Sequence, residues 1–318
     1  MTFTKTLAAT FAALSLTVGA AVAQDFPTKP IELVVPYGAG GLTDAFARGV
    51  AQAAEEELGQ KIVVVNRPGG GATIGLTSVF AAEPDGYTVA FTTSSPLVIQ
   101  PLYGKTAYKT TDFQPILRLY DIPVAINVQR DSELQGYEDW LEWVKANPGE
   151  FTYGTSGGTG SGGHIATEQL GKVLDVDIRH IPFEGSAALA AAVMGGQIKG
   201  SNQLPNIHRD GEIRPLFFMS PSRPTDAVYD SVPTVAELGI DAEVVFFSGI
   251  IAHKDVPADR ISILNDAFRA AMDAPNVQEL FERDQIMPDP AGPEAFAEII
   301  AAASKSNETT MREIGLIE

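Results

Sequence analysis

The stretch Ile31-Glu-Leu-Val-Val-Pro-Tyr-Gly-Ala-Gly-Gly-Leu-Thr-Asp44 is the most informative part of this sequence for the fold. An apolar run leads into a glycine-rich turn and then into the first residues of a helical pattern, which is the order of a strand followed by a helix. Backbone N–H groups in such a turn and at a helix N-terminus carry partial positive charge. We therefore predict an anion site at this turn. A tight turn without a ligand is the alternative that its glycines leave open.

A second unit of the same kind lies in the middle of the chain. There Phe151-Thr-Tyr-Gly-Thr-Ser-Gly-Gly-Thr-Gly-Ser161 runs into Gly162, Gly163 and His164, and a helical pattern follows from Ile165 to Leu174. Two glycine-rich turns in two halves of the chain suggest one anion held from both sides.

The N-terminus has the pattern of a secretory signal peptide. Lys5 supplies a positive charge, residues 7–18 form a short apolar stretch, and Ala21-Val-Ala23 is a small-residue cleavage signal. We expect cleavage after Ala23 and, in a Gram-negative source, a periplasmic location. No later segment reaches the roughly 18 consecutive apolar residues of a spanning helix, so we expect no membrane insertion.

Charge and composition exclude several kinds of site and binding partner. The 318 residues have a net charge of −18 and include no cysteine, which excludes disulfides and a thiolate metal site. Removing residues 1–23 takes away one cation, Lys5, and no acid, so the mature net charge becomes −19. Nucleic acid and anionic lipid need a basic surface, so we expect neither as a partner. A small anion remains possible, because local amide dipoles can outweigh a screened surface field.

Strand and helix patterns alternate along the chain, which predicts a mostly parallel α/β sheet. Two extended segments, near residues 120–128 and 244–252, would carry the chain into a second lobe and back. After a signal peptide at 1–23, we expect one lobe from residues 24–122 plus 248–318 and another from residues 123–247. Ligands of open α/β sheets bind beyond the carboxyl ends of the strands, where both glycine-rich turns fall.

Several motifs together resemble one known family. They are Pro36-Tyr-Gly-Ala-Gly-Gly-Leu-Thr-Asp44 with Arg48, Leu58-Gly-Gln60, Val65-Asn-Arg-Pro-Gly-Gly-Gly71, Pro84-Asp-Gly-Tyr87 and Val232-Pro-Thr-Val-Ala-Glu-Leu-Gly239. In this order, across nearly the whole mature chain, they resemble the substrate-binding receptors of tripartite tricarboxylate transporters, the Bug family. Each motif alone is weak, and the set is specific.

The resemblance implies a two-lobe α/β periplasmic binding protein of the Venus flytrap type, type II-like, with two extended crossover segments. Such a receptor closes on a small organic carboxylate, which is a di- or tricarboxylate, an acidic amino acid or an aromatic acid, and meets membrane permease subunits. A monomer is the expected state. The contacts carried over are Tyr37, Gly38, Ala39, Gly40, Gly41, Thr43, Thr93, Ser94 and Ser95 in the first lobe, and Ser156, Thr159, Gly160, Ser161, His164, Phe183 and Asn202 in the second.

The chain departs from the family pattern at two positions. Glu184 stands where a lysine is frequent, and Asn202 stands where an aspartate is common. If either side chain faces the cleft, the preferred ligand charge shifts. The sequence does not identify the solute.

Some residues have a structural interpretation beside the functional one. A carboxylate at Asp44 would repel an anion, so we expect it to be a helix N-cap. Arg67 is expected to be a structural tether, with a ligand clamp as the alternative. For His164, a cap and a direct ligand contact both remain open. The four histidines, His164, His180, His208 and His253, lack metal-ligand spacing, and we expect no metal ion and no cofactor.

Two enzyme-like patterns also occur. Gly38-Ala-Gly40 begins like a dinucleotide fingerprint, but Thr43 replaces its third glycine, and no glycine loop ends in Gly-Lys-Ser/Thr. Gly154-Thr-Ser-Gly-Gly158 matches the nucleophile-elbow pattern. The alternative function is therefore a secreted serine hydrolase with Ser156 as nucleophile and His208 or His253 as base. A scaffold protein is a third class, against which the two amide-rich turns argue.

Overall fold

The computed structural model describes residues 26–156, 159–183, 186–204, 211–220, 223–224, 226–242 and 246–318. The predicted signal peptide, Glu184 and His208 lie outside these ranges. The first part of the fold contains β1 (Ile31–Val35), α1 (Leu42–Leu58), β2 (Ile62–Asn66), α2 (Thr73–Phe80), β3 (Thr88–Thr93) and β4 (Phe113–Asp121). The middle part contains β5 (Ala125–Gln129), α3 (Tyr137–Ala146), β6 (Phe151–Thr155), α4 (Gly162–Leu174), β7 (Ile178–Pro182), α5 (Ser186–Met194), β8 (Gly200–Gln203) and β9 (Ile213–Phe218). The last part contains β10 (Phe247–His253), α6 (Ala258–Ala271), α7 (Pro275–Asp284), β11 (Pro288–Ala291) and α8 (Pro293–Glu313).

The described strands form two sheets, with the orders β11-β4-β10-β3-β1-β2 and β7-β6-β8-β5-β9. In the first sheet β1 is parallel to β2 and β3, whereas β10 is antiparallel to β3 and β4. In the second sheet β6 is parallel to β7 and β8, whereas β5 is antiparallel to β8 and β9. Both sheets are mixed, so the prediction of a mostly parallel sheet is wrong.

The antiparallel strands follow from how the chain crosses between the sheets. β5 arrives from the first sheet, and its first residue, Ala125, pairs with Gln203 at the carboxyl end of β8. β10 arrives from the second part of the chain, and Ser248 near its start pairs with Thr93 at the carboxyl end of β3. Each crossing strand enters its new sheet from the carboxyl ends of the parallel strands and therefore runs against them. The crossings thus mark the edge where a ligand site is expected.

Each sheet has its own aromatic core. In the first, Phe46 of α1 packs between Tyr120 and Phe281, with ring centroids 4.6 and 4.8 Å apart. In the second, Trp140 of α3 packs against Phe217 at 5.0 Å. Such pairs add to the stability that burial of their apolar area provides.

The C-terminal helices return to the first sheet and also reach the second. Phe281 of α7 and Phe268 of α6 belong to the same buried cluster as Phe46. Phe296 of α8 packs on Phe247 of β10, and Lys172 of α4 forms an ion pair with Glu313 of α8 at 2.7 Å. α8 therefore links the two halves, while the lobe bounds 24–122 plus 248–318 and 123–247 stay a prediction.

Candidate functional site

A cleft of about 350 Å³ lies between the carboxyl ends of the two sheets. The first-sheet side and the crossing segments contribute Tyr37, Gly71, Ser95, Gln100, Ile122, Val124 and Phe246. The second-sheet side contributes Thr155, Ser156, Ser161, Gly162, Gly163, Asn202, Gln203 and Leu204. Two other cavities, of about 320 and 280 Å³, have similar volumes. Volume therefore does not select the site, but position does, because only this cavity of the three is lined by both sheets.

The structure brings together five of the predicted contact residues in this lining, namely Tyr37, Ser95, Ser156, Ser161 and Asn202. The remaining predicted residues, which are Gly38, Ala39, Gly40, Gly41, Thr43, Thr93, Ser94, Thr159, Gly160, His164 and Phe183, lie outside it. Several of these support lining residues from behind, as described below. Their direct contact with a ligand stays a prediction.

Sequence reasoning missed several lining residues. Gly71 follows β2, which pairs with β1, so the glycine run Gly69–Gly71 at the same sheet edge was a usable signal. Gln100 lies in the short helical turns of residues 95–103 after β3. Phe246 precedes the returning strand β10, and no local pattern indicates that it meets this edge.

The first glycine loop is held by its own helix. Gly40 has a φ of +83° and donates its N–H to Oδ2 of Asp44 at 2.8 Å. Asn66 donates to Oδ1 of Asp44 at 2.8 Å, and Arg48 donates to Oδ2 at 3.0 Å. The N-cap of α1 is Gly41, so Asp44 is the third residue of the helix and the prediction that it is the N-cap is wrong. The Gly40 amide is engaged within the protein.

The pKa of Asp44 reflects this network. Burial alone would raise the pKa, since the side chain is only 4% exposed. Hydrogen bonds from Arg48, Gly40 and Asn66 outweigh burial and hold the pKa below its ordinary value. Asp44 is therefore a buried anion whose charge is satisfied within the loop.

Tyr37 connects the first loop to the neighbouring strand. Asn66 donates to the carbonyl oxygen of Tyr37 at 3.0 Å, and the hydroxyl of Tyr37 bonds to Oγ1 of Thr93 at 2.5 Å. Burial raises the pKa of Tyr37 to about 12, although the bond to Thr93 opposes the shift. At the cleft Tyr37 is thus a neutral phenol held in one orientation.

The second glycine loop lines the cleft directly. Gly160 has a φ of +78° and donates its N–H to Nδ1 of His164 at 3.0 Å. Ser161 is the N-cap of α4, and its Oγ accepts the N–H of His164 at 3.4 Å. The same Oγ donates to Oγ1 of Thr155 at 3.2 Å. His164 therefore supports the loop from behind.

A second histidine lies against His164. The rings of His164 and His180 stack with centroids 4.1 Å apart, and Nε2 of His180 bonds to Oγ1 of Thr155 at 2.8 Å. Burial lowers the pKa of His164, and nearby Glu168 opposes this. Burial, together with the repulsion that a protonated His164 would exert, lowers the pKa of His180 to about 4. Both imidazoles are neutral at physiological pH.

Asn202 lines the cleft and has a side-chain acceptor with no partner among the described residues. Its Nδ2 donates to Oγ1 of Thr167 at 2.8 Å and more weakly to the Gly163 carbonyl oxygen at 3.3 Å. The residue is 4% exposed, and its Oδ1 has no hydrogen-bond partner within the described parts of the chain. Since buried polar atoms are normally paired, this oxygen can accept a hydrogen bond from a ligand or water.

The geometry does not support the serine hydrolase alternative. His253 ends β10, six residues after Phe247, which places it roughly 20 Å along the strand from the cleft edge. Nδ1 of His164 accepts from Gly160, and Nε2 of His180 bonds to Thr155. His208 lies outside the described residues. Each described histidine near Ser156 is therefore engaged elsewhere.

Arg67 is a tether, as predicted. Its side chain donates to Oε1 of Glu32 at 2.7 Å, and its N–H donates to the Val35 carbonyl oxygen at 2.8 Å. Both contacts lie on β1, so Arg67 fastens the end of β2 to its neighbour.

Across the described ranges, no helix combines the length and apolarity needed to span a membrane.

Comparisons with known proteins agree in both sequence and fold. The model of the tripartite tricarboxylate transporter family receptor matches residues 46–316. A Cupriavidus necator protein described as a UPF0065 protein in the gbd 5' region is 32% identical over 316 residues, covering 98% of this chain and 95% of that protein. The structure of a TctC solute-binding protein from Polaromonas is 31% identical with a TM-score of 0.79, covering 91% of this chain and 100% of that one. The structure of R. palustris Rpa4515 with adipate is 26% identical with a TM-score of 0.77, covering 92% and 99%.

Proposed function

The chain belongs to the tripartite tricarboxylate transporter receptor family, and on this premise we propose that it captures a small organic carboxylate in the cleft and delivers it to membrane permease subunits. Receptors of this family are periplasmic substrate-binding proteins and not enzymes. Export through a signal peptide cleaved after Ala23 and a monomeric receptor are parts of the proposal.

The observation that carries the proposal is the set of donors at the second side of the cleft. α4 begins at Gly162, so the first N–H groups of this 13-residue helix have no partner within the helix. Gly162 and Gly163 line the cleft beside the hydroxyls of Ser156 and Ser161. N–H groups at a helix N-terminus and hydroxyls are suitable partners for a carboxylate.

Other residues of the lining favour an acid with an apolar body. Ile122, Val124, Leu204 and Phe246 bring apolar side chains to the same cleft. Burying methylene or aromatic groups against them contributes roughly 25 cal/mol for each Å² removed from water. The 26% identical relative solved with adipate, an acid with four methylene groups, supports an aliphatic dicarboxylate. We therefore place aliphatic dicarboxylates and aromatic acids ahead of tricarboxylates.

Asn202 supports an anionic ligand. A neutral amide at this buried position adds no negative charge to the cleft, which is compatible with a carboxylate there. Its unpaired Oδ1 also suits a hydroxyl, a water or an N–H group of the ligand.

A thermal-shift screen of the exported protein tests the proposal. The probes are adipate, benzoate, citrate and glutamate, with adipamide as the uncharged match to adipate. Binding to the folded form alone adds about 2.7 kcal/mol of stability at a hundredfold excess over Kd. We expect adipate or benzoate to raise Tm and adipamide to leave it unchanged. A shift with adipamide alone, or with none of the acids, would overturn the carboxylate assignment.

Delivery to the permease needs a second experiment. We expect deletion of the gene to abolish uptake of the acid that the screen identifies, and we expect the wild-type gene to restore it. Uptake that persists in the deletion strain would contradict delivery while leaving binding intact.

A further inference from the structure

The contact between His164 and Gly160 requires one protonation state of the imidazole. Gly160 donates its N–H to Nδ1, so Nδ1 carries a lone pair and any ring proton is on Nε2. A doubly protonated ring has donors at both nitrogens and would direct a second N–H at Gly160. The hydrogen bond that holds the second glycine loop therefore exists only with a neutral His164.

The held glycine adjoins the cleft. Gly160 precedes Ser161, the N-cap of α4, and Ser161, Gly162 and Gly163 all line the cleft. Gly160 itself is buried, and its carbonyl oxygen accepts a hydrogen bond from the hydroxyl of Tyr103 at 3.4 Å. Movement of Gly160 would thus move the donors that face the ligand and also disturb a contact between the two halves of the molecule.

In the described part of the chain, three titratable groups face His164 from the elements packed around it. On α4 itself, Oε1 of Glu168 lies 3.7 Å from Nε2 of His164. On β6, the hydroxyl of Tyr153 donates to Oε1 of Glu168 at 2.8 Å and lies 3.5 Å from the His164 carbonyl oxygen. On β7, His180 stacks on the ring. Glu168 favours a proton on His164, whereas burial disfavours it. The same stacked contact lowers the pKa of His180.

We propose that His164 is a positioning residue for the ligand, whose neutral ring holds the second glycine loop in its binding shape and whose protonation releases it. Affinity for the carboxylate then falls as the medium becomes acidic. This inference rests on the proposed function, because the ligand must occupy the cleft that the loop lines.

Proton linkage sets the direction in which affinity changes with pH. The bound form contains a neutral His164, so acid competes with the ligand, and affinity is highest above the pKa of His164. Below that pKa, Kd rises by up to about tenfold for each pH unit, the limit for uptake of one proton. Protonation of adipate itself also weakens binding near its own pKa values, so the comparison must be made between variants at each pH.

The decisive variant is His164→Asn. The asparagine Oδ1 occupies nearly the place of Nδ1, can accept the Gly160 N–H and does not titrate. At pH 8 we expect its Kd for adipate to stay within about twofold of the wild-type value. Between about pH 8 and pH 5 its Kd should change only as far as adipate itself becomes protonated. His164→Ala lacks the acceptor, and we expect it to bind about five- to tenfold more weakly at pH 8.

His253→Asn is the matched control. Nδ1 of His253 also accepts a backbone N–H, that of Asp255 at 3.2 Å, but His253 lies at the far end of β10. This variant should keep the wild-type pH dependence. Isothermal titration calorimetry with adipate measures all four proteins. A His164→Asn variant that retains the wild-type pH dependence would overturn the proposal.

Amide NMR separates this inference from the ligand assignment. In the free wild-type protein, the Gly160 amide resonance should titrate together with the His164 ring, and in His164→Asn it should not. If adipate fails to bind at pH 8, that counts against the ligand assigned above, and the NMR result alone decides the role of His164. A Gly160 amide that does not follow the ring would overturn it.

Discussion

The two glycine loops of this receptor share a backbone design and differ in the side chain that holds it. In each, a glycine with positive φ, Gly40 or Gly160, precedes the N-cap of a helix. Each glycine donates its N–H to the side chain four residues later, the third residue of that helix. The acceptor is the carboxylate of Asp44 in the first loop and the imidazole of His164 in the second.

The surroundings of the two glycines differ as much as their acceptors. Gly40 is exposed, and a Cβ built on it meets no atom within 4 Å. Gly160 is buried, and a Cβ there would lie against the hydroxyl of Tyr103, from the other half of the molecule. The carboxylate of Asp44 thus holds the first loop at a place outside the cleft lining. The neutral ring of His164 holds the second loop next to that lining. We therefore expect the same backbone motif to serve stability in the first loop and ligand binding in the second.

Removing the acceptor of the first loop should have the largest effect on stability. Asp44→Ala leaves Gly40, Asn66 and part of Arg48 without their partner, and we expect the free energy of unfolding to fall by about 2–3 kcal/mol. Asp44→Asn keeps an acceptor for Gly40 and should cost about 1 kcal/mol. Urea unfolding at neutral pH measures both. Equal and negligible losses would show that the network does not hold the loop.

The same residue gives a pH dependence of stability. The pKa of Asp44 is depressed in the folded protein, so its contribution is present above the unfolded-state pKa of about 4. It is lost as pH falls through the lower folded-state pKa. The stability difference between wild type and Asp44→Asn should therefore shrink between about pH 5 and pH 3. A difference that is constant over this range would contradict the assigned pKa direction.

Alanine substitutions at Gly40 and Gly160 should affect ligand binding to different extents. Both variants strain a positive-φ position by about 1 kcal/mol, and we expect similar losses of stability from that strain. Gly160→Ala must also displace Tyr103, so its Kd for adipate should rise more than about tenfold. Gly40→Ala should leave Kd within about threefold. Calorimetry that finds equal Kd changes would remove the distinction between the loops.

A charge in the cleft tests which ligand the second loop serves. Asn202→Asp introduces a carboxylate beside Gly163 and Thr167, and we expect it to weaken adipate binding by about tenfold. Asn202→Leu, which removes the acceptor without adding charge, is the matched control and should weaken binding less. Tighter adipate binding by Asn202→Asp would argue against an anionic ligand at this position.

The smallest effect is expected at Arg67. Arg67 and Glu32 are each about one-third exposed, and solvent screens their ion pair. Arg67→Ala should lower the free energy of unfolding by less than about 1 kcal/mol and leave Kd unchanged. A large rise in Kd would restore the ligand-clamp interpretation.

Local patterns predicted most elements but not their directions. α1 ends before Gly59, whose φ of +62° suits glycine better than other residues, so a glycine at this place is a stop signal that the sequence shows. β11 was missed because two of the four residues in Pro288–Ala291 are prolines. The mixed sheets depend on how the crossing strands enter, which no local pattern encodes.

The site was predictable to a similar extent. The glycine-rich turns indicated the edge where the cleft lies, because turns after parallel strands gather at one edge. The family resemblance then implied Tyr37, Ser156 and Ser161, which do line the cleft. Whether a turn amide faces a ligand or its own helix was not predictable, since it depends on the rotamer of the residue four positions later. Phe246 required knowledge of where the chain returns.

The most direct test of the account is to map the ligand site by backbone amide NMR on adding adipate. We predict that the largest shifts occur at Ser161, Gly162 and Gly163 of the second loop and at Ser95 across the cleft, with Gly40 nearly unchanged. Shifts confined to the cavity between α1 and α6, near Gln52 and Ala270, with none at the second loop, would contradict binding in the cleft.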